Sequence, residues 1–302
     1  MTNSTTTRNQ KLTDGVLWAV VGAYLIGSRI IPGFITPLLF PFALIHGARR
    51  YGWKGIAVFM VITLIVSNIL ENSSILTGFP FGHYYYTDSL GPKIALVPFF
   101  ISLSYISFGY LAWVFSTILV GEVRRKSTLF TTVAVSLVAS FVMVDWDLSL
   151  DPIASTINHA WIWTQGGGYF GVPISNFLGW SFTVWVFFQL FALYQRRRGS
   201  EDLGRALPTT HYLQSIIVYF WTGFGFVLGY LLRPANTAIS DAVGHVWQTG
   251  DIYETMAIVS IYTMIFVSIL ALVILYRDQM AQKKIVAVTV LRRASGSSQT
   301  KS

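Results

Sequence analysis

The sequence predicts an all-α integral membrane protein: a polytopic bundle of about eight transmembrane helices with aromatic and acidic re-entrant loops on the non-cytoplasmic side. Three observations carry this. Of 302 residues, 53% are hydrophobic and 11% charged, whereas a soluble domain carries about 25% charged residues. Too few charges remain to solvate a globular surface. The mean hydropathy is +0.57. The hydrophobicity is gathered into long runs separated by short basic clusters. A net charge of +8 would suggest nucleic-acid binding in a soluble protein, but here topology explains it better, and no nucleic-acid partner is expected. The absence of cysteine excludes disulfides, thiolate metal sites and a cysteine nucleophile.

A span needs roughly 20 mostly apolar residues. In chain order, a polar tail (1–14) without a cleavage-site pattern precedes a single transmembrane domain (15–276), and a basic, Ser-rich tail follows (277–302). Eight stretches qualify or come close: 15–31, 34–48, 55–70, 94–120, 129–146, 173–194, 212–232 and 254–276. The second is the weakest, because Pro32, Pro37 and Pro41 interrupt or flank it. It reads as a Pro-kinked span or as a re-entrant hairpin with the first.

Basic residues mark the cytoplasmic face. With the N-terminus cytoplasmic and eight spans, all of the 21 Lys and Arg except Arg29, Lys93 and Arg233 fall on that side. Glu71, Asp88, Asp145, Asp147, Asp151, Asp241, Asp251 and Glu254 fall on the other. Both termini are therefore expected in the cytoplasm, the membrane being the plasma membrane of a prokaryote or the endoplasmic reticulum of a eukaryote. No repeat with matching broken helices is visible, which weighs against an inverted-repeat transporter.

Two non-cytoplasmic connections are unlike ordinary loops. Glu71 to Pro98 packs Phe79, Phe81, His83, Tyr84, Tyr85, Tyr86 and Asp88 among glycines and prolines. Asp145 to Trp180 holds three Asp, one His, four Trp and the Gly166–Gly168 triplet. An interfacial aromatic belt would account for the rings, but not for the acids among them. Ionisable groups at membrane depth generally face a protein interior or a watery cavity. Asp147 and Asp151, four apart, share a helix face, and one of the three acids is expected to point elsewhere. Pro152 is expected to end the helix at Asp151, and Glu71 closes another span in the same layer.

Two chemistries suit carboxyl groups in an aromatic pocket. Two Asp four apart can hold Mg²⁺ and through it a diphosphate, but no second such motif is present. The better fit is proton transfer to an alkene. One of several crowded, poorly hydrated carboxyls keeps its proton and acts as a general acid. Ring faces of Trp146, Trp161, Trp163, Tyr84 and Tyr85 then stabilise the tertiary carbocation. A second carboxylate or His83 activates water. Asp147 is the first candidate acid, with Asp145, Asp151, Glu71 and His83 completing the catalytic set. No metal site and no cofactor are expected. His46 and His211 read as structural, and His159 and His245 are ambiguous.

The same two segments resemble the CruF-type carotenoid biosynthesis proteins. Residues 78–88, Gly-Phe-Pro-Phe-Gly-His-Tyr-Tyr-Tyr-Thr-Asp, with Leu90-Gly91-Pro92-Lys93, are similar to that family's signature. So are Asp147 to Pro152, Gly167 to Pro173 and Asn176-Phe177-Leu178-Gly179-Trp180. The likeness extends over roughly residues 20–275 and implies a membrane carotenoid 1,2-hydratase of the bisanhydrobacterioruberin or γ-carotene type. Such an enzyme adds water to a terminal isopropylidene alkene without a redox cofactor. The implied partner is a hydrophobic isoprenoid or carotenoid in the bilayer. The matched motifs add Asp88, Tyr169, Asn176 and Trp180 to the candidate substrate contacts. A proton-initiated terpenoid cyclase is the alternative enzyme, and a non-catalytic isoprenoid carrier the alternative of another class.

Overall fold

The structure, a computed structural model, describes residues 2–30, 35–199 and 207–281, with side chains from residue 11 onward. It is helical: α1 (Thr2–Ile30), α2 (Ile35–Thr77), α3 (Phe99–Leu119), α4 (Leu129–Asp151), α5 (Ile174–Arg198), α6 (Thr209–Leu231) and α7 (Thr249–Ser260). A π-helical turn at Ile261–Ile265 carries α7 into a continuous helix that reaches Ala281. Six helices are long and apolar enough to cross a membrane: Ile35–Thr77, Phe99–Leu119, Leu129–Ile157, Ile174–Arg198, Thr209–Leu231 and Thr249–Ala281.

The chain is therefore divided differently from the eight stretches of the sequence. The first apolar run is the C-terminal part of α1, and its described portion, 15–30, is shorter than the roughly 20 residues a span needs. The second and third are joined in α2. That helix is broken at Gly52, whose φ of 71° and ψ of 166° only glycine adopts readily. Residues nine apart in a straight helix are about 13 Å apart, yet the Ile56 side chain occupies the space a Cβ on Gly47 would take. The limbs 35–51 and 53–77 thus fold back on each other. Pro41 lies inside the first limb, whereas Pro32 and the basic tail beyond residue 281 lie outside the described residues.

The polar side chains of the helices turn inward among a buried apolar core, and the outward faces are apolar, as a lipid solvent dictates. Along α2 the buried positions include Phe59, Thr63, Ser67, Glu71 and Ser74, while Val61, Ile65 and Ile69 are exposed. In α4, Thr132, Ser136, Ser140, Asp147 and Asp151 face inward, and Phe130, Val133, Leu137 and Phe141 face out. Helix α3 is central, with every side chain from Ser104 to Thr117 buried. At its middle Phe59, Tyr110, Trp113, Phe187, Phe188 and Phe191 interlock, edge to face except for Trp113, which stacks on Phe188.

The α-helical part of α4 ends at Asp151, as Pro152 leads one to expect, but the helical run does not stop there. The chain continues through a π-helical turn, Pro152–Ile157. The wider turn tolerates a residue without an N–H and keeps the last acid on a helical face. The two aromatic connections are ordered by pairing rather than by helical re-entry. Strand β1 (Tyr84–Tyr86) runs antiparallel to β4 (Trp161–Trp163), with Tyr84 opposite Trp163 and Tyr86 opposite Trp161. Period-two alternation turns Tyr84, Tyr86 and Trp163 inward and leaves Tyr85 outside. Two smaller hairpins, β2 (Lys93–Ile94) with β3 (Val97–Pro98) and β5 (Ala238–Ser240) with β6 (Val246–Gln248), complete the cap.

Gly179 seats this cap on α5. A Cβ there would lie 2.8 Å from both Phe81 Cα and the Pro80 carbonyl carbon. Gly179→Ala is expected to cost about 1–3 kcal/mol through overpacking and to lower the melting temperature in detergent. Gly168→Ala, which adds a Cβ in open space, should leave it unchanged.

Candidate active site

A cavity of about 1140 Å³ opens beneath the cap, between the last turns of α1, α2, α4 and α6 and the first turns of α3 and α5. Asp147 and Asp151 line it from one turn of α4, both buried. The Asn176 amide nitrogen donates to Asp147 Oδ2 at 3.0 Å and to Asp151 Oδ2 at 2.6 Å. One amide carries two N–H groups, so each carboxyl receives one. The Trp161 indole donates to Asp151 Oδ1 at 2.5 Å. Both oxygens of Asp151 are therefore occupied as acceptors. Asp147 Oδ1 has no hydrogen bond to any described residue, which leaves Asp147 the carboxyl with a free oxygen beside the cavity.

Glu71 lines the same cavity from α2. Three phenols converge on its carboxyl: Tyr84 and Tyr86 (3.0 Å) on Oε2, and Tyr105 (2.6 Å) on Oε1. Burial first, and then the negative Glu71, push the Tyr84 and Tyr86 phenols well above the usual phenol range. They remain donors at any physiological pH.

Aromatic rings form much of the wall around the acids. Phe108 stacks on Trp146 with centroids 3.8 Å apart, Tyr105 on Trp180 at 4.5 Å, and Tyr84 leans on Trp163 at 4.7 Å. Their π faces suit a transient cation better than an anion. Among the described residues no group of three or more His, Asp or Glu side chains is arranged to hold a metal ion.

The model of the carotenoid biosynthesis protein family matches residues 33–244, most of the chain. This chain belongs to that family. A bisanhydrobacterioruberin hydratase of Haloarcula japonica is 31% identical over 150 residues, 49% of this chain and 49% of that protein. The match thus spans about half the length of that relative. No solved structure matches.

In this carotenoid biosynthesis protein the residues expected at the site divide into two groups. Glu71, Asp147, Asp151, Tyr84, Trp146, Trp161, Trp163, Asn176 and Trp180 line the one cavity. The others lie apart. Asp145 is on another face of α4, with Tyr219 within electrostatic reach. His83 is exposed with its ring against Gly78, and its carbonyl accepts from the Thr164 N–H and hydroxyl at 3.1 Å each. Tyr85 is half exposed. Asp88 is exposed in an ion pair with Lys93 at 3.0 Å. Tyr169 supports the site from behind by donating to the Leu148 carbonyl at 3.1 Å. Sequence reasoning passed over Tyr86 and Tyr105 as Glu71 partners and Phe108 as a wall. Tyr86 was legible from strand alternation, but Tyr105 and Phe108 sit within an apolar helix with no local signal.

Asn176 is the clamp of the acid pair. Asn176→Ala leaves two buried carboxyls short of a donor and is expected to cost about 1–3 kcal/mol, read as a lower melting temperature in detergent. Asn176→Asp, which adds a third carboxyl, should destabilise more.

Proposed function

We propose that this protein is a carotenoid hydratase that protonates a terminal isopropylidene alkene and adds water to it. The observation that carries the reading is the Asn176-clamped pair of Asp147 and Asp151 facing an aromatic cavity. The pair shares one proton, because two carboxylates bridged by one amide in a poorly hydrated site do not both ionise. Asp147 Oδ1 gives that proton to the less substituted alkene carbon, the π electrons forming the new C–H bond. The tertiary cation is held over the faces of Trp146, Trp161, Trp163 and Trp180. Water adds to the cation, and its surplus proton returns to the acid pair. The net change is the gain of one water, with no redox step.

The roles follow from the contacts. Asp151, accepting from two partners, holds the pair's negative charge. Glu71, accepting from three phenols, places a second negative charge near the cation and can orient the attacking water. The relative's printed name, a hydratase, agrees with this reading. The aromatic enclosure also suits capture of the cation by an internal alkene, which would make the protein a cyclase. Expression in a carotenoid-producing host followed by mass analysis separates the outcomes: a gain of one water for a hydratase, an isomer for a cyclase, no product for a carrier.

Asp147→Asn, which keeps the volume and removes the acid, is expected to slow turnover about 10²–10⁴-fold. His83→Gln, outside the cavity, should leave turnover close to wild type. The acid must carry its proton when the alkene arrives. Turnover should therefore fall as pH rises, while binding of the apolar substrate, followed by tryptophan quenching, barely changes.

The topology we propose has α1 and the two limbs of α2 each crossing the membrane, giving eight passes with both termini cytoplasmic and the cavity opening on the opposite side. The segregation of basic residues supports it. In this cysteine-free chain, Asp88→Cys should react with an impermeant maleimide from the non-cytoplasmic face and Lys126→Cys only from the cytoplasmic face.

A further inference from the structure

At the end of the cavity formed by α1 and α6 stands a cation with no counter-charge. Arg29 lines the cavity from the last turn of α1, and none of the described carboxylates pairs with it. Its guanidinium lies 4.7 Å from the Trp221 ring centroid, and Nη2 donates to the Trp221 carbonyl. Gly225 makes the room, since a Cβ there would sit 3.0 Å from Arg29 Cζ. The next residue back, Ser28, also lines the cavity and is 5% exposed. Ser28 Oγ and Arg29 Nε are both buried without a hydrogen-bond partner. Close by, Tyr24 and Thr222 satisfy each other at 2.6 Å, so among the described residues at this end of the cavity Ser28 and Arg29 hold the unmet donors.

Carbocation chemistry does not use these groups, and a cation would be repelled by Arg29. Buried charges are paired or hydrogen-bonded, since leaving one uncompensated is costly. In a membrane protein an unpaired ionisable group marks a ligand. Both residues also precede the stretch matched by the family, 33–244. Neither an apolar chain end nor the acid pair supplies what they lack, which is an acceptor carrying negative charge.

We propose that Ser28 and Arg29 form an anion-binding station that seats a phosphate or carboxylate group at the end of a chain lying in the cavity. The guanidinium gives charge-assisted hydrogen bonds through Nε and Nη1, and the Ser28 hydroxyl gives a third. The inference rests on the cavity holding an isoprenoid chain, and it is independent of hydration at the acid pair. The anionic group belongs either to an isoprenoid phosphate, distinct from the neutral carotenoid, or to a membrane phospholipid lodged at the cavity mouth.

The test is binding, not turnover. Purified protein in neutral detergent is titrated with a polyprenyl phosphate and with the polyprenol of the same length, read by tryptophan quenching, and a parallel sample with phosphatidylglycerol is read by native mass spectrometry. Wild type should bind one of the two phosphates at least about tenfold more tightly than polyprenol, the worth of one or two charge-assisted bonds. Preference for the polyprenyl phosphate assigns the station to an isoprenoid phosphate, and retention of phosphatidylglycerol alone assigns it to lipid. Arg29→Gln should abolish the preference and Arg29→Lys retain part of it. Equal binding of phosphate and alcohol by wild type, with no retained phosphatidylglycerol, overturns the proposal, as does an undiminished preference in folded Arg29→Gln. If Arg29→Gln does not fold, the wild-type comparison decides. Failure of the hydratase reading would appear as a missing mass gain while the phosphate preference stands.

Discussion

The need to satisfy carboxyl groups at membrane depth governs the architecture. Asp147 and Asp151 are tolerable only because Asn176 spans them and Trp161 covers the second. Asn176 is on α5 and Trp161 on β4, so this one cluster ties together successive elements of the chain, α4, β4 and α5. The π-helical turn after Asp151 serves the same end. It lets the chain pass Pro152 and carries the backbone on to the strand that bears Trp161. Such turns recur beside functional groups.

A second carboxyl follows the same rule by a different route. Glu71 is met by phenols from the cap and from α3. The cap is therefore held down by polar bonds from within and by ring contacts from the side, with Gly179 allowing its backbone to touch α5. The two carboxyl clusters and the aromatic rings line one volume. At the opposite end of the bundle the charges are structural. Arg50 is paired with Glu122, and Asp14 with Arg49 at 2.7 Å. His46 stacks on His211 with centroids 3.5 Å apart. These contacts join α1, α2 and α6 where no cavity needs shaping.

The sequence by itself determined that this is a membrane-embedded helical protein, because composition and long apolar runs reflect the solvent around each helix. It also pointed to acids that the fold places on the cavity: a carboxyl inside an apolar run has few explanations, and four-residue spacing places two on one face. Tertiary structure alone decided which neighbours act with them. Asp145 lies two residues from Asp147 yet turns away, since consecutive helical positions point in different directions. His83 sits within the most distinctive motif, but strand alternation turns it out and Tyr84 in. The reversal at Gly52, the pairing of Tyr84–Tyr86 with Trp161–Trp163, and the meeting of Tyr105 with Glu71 depend on contacts between segments far apart in the chain. No local pattern encodes such contacts, because each is settled by the packing of the whole bundle.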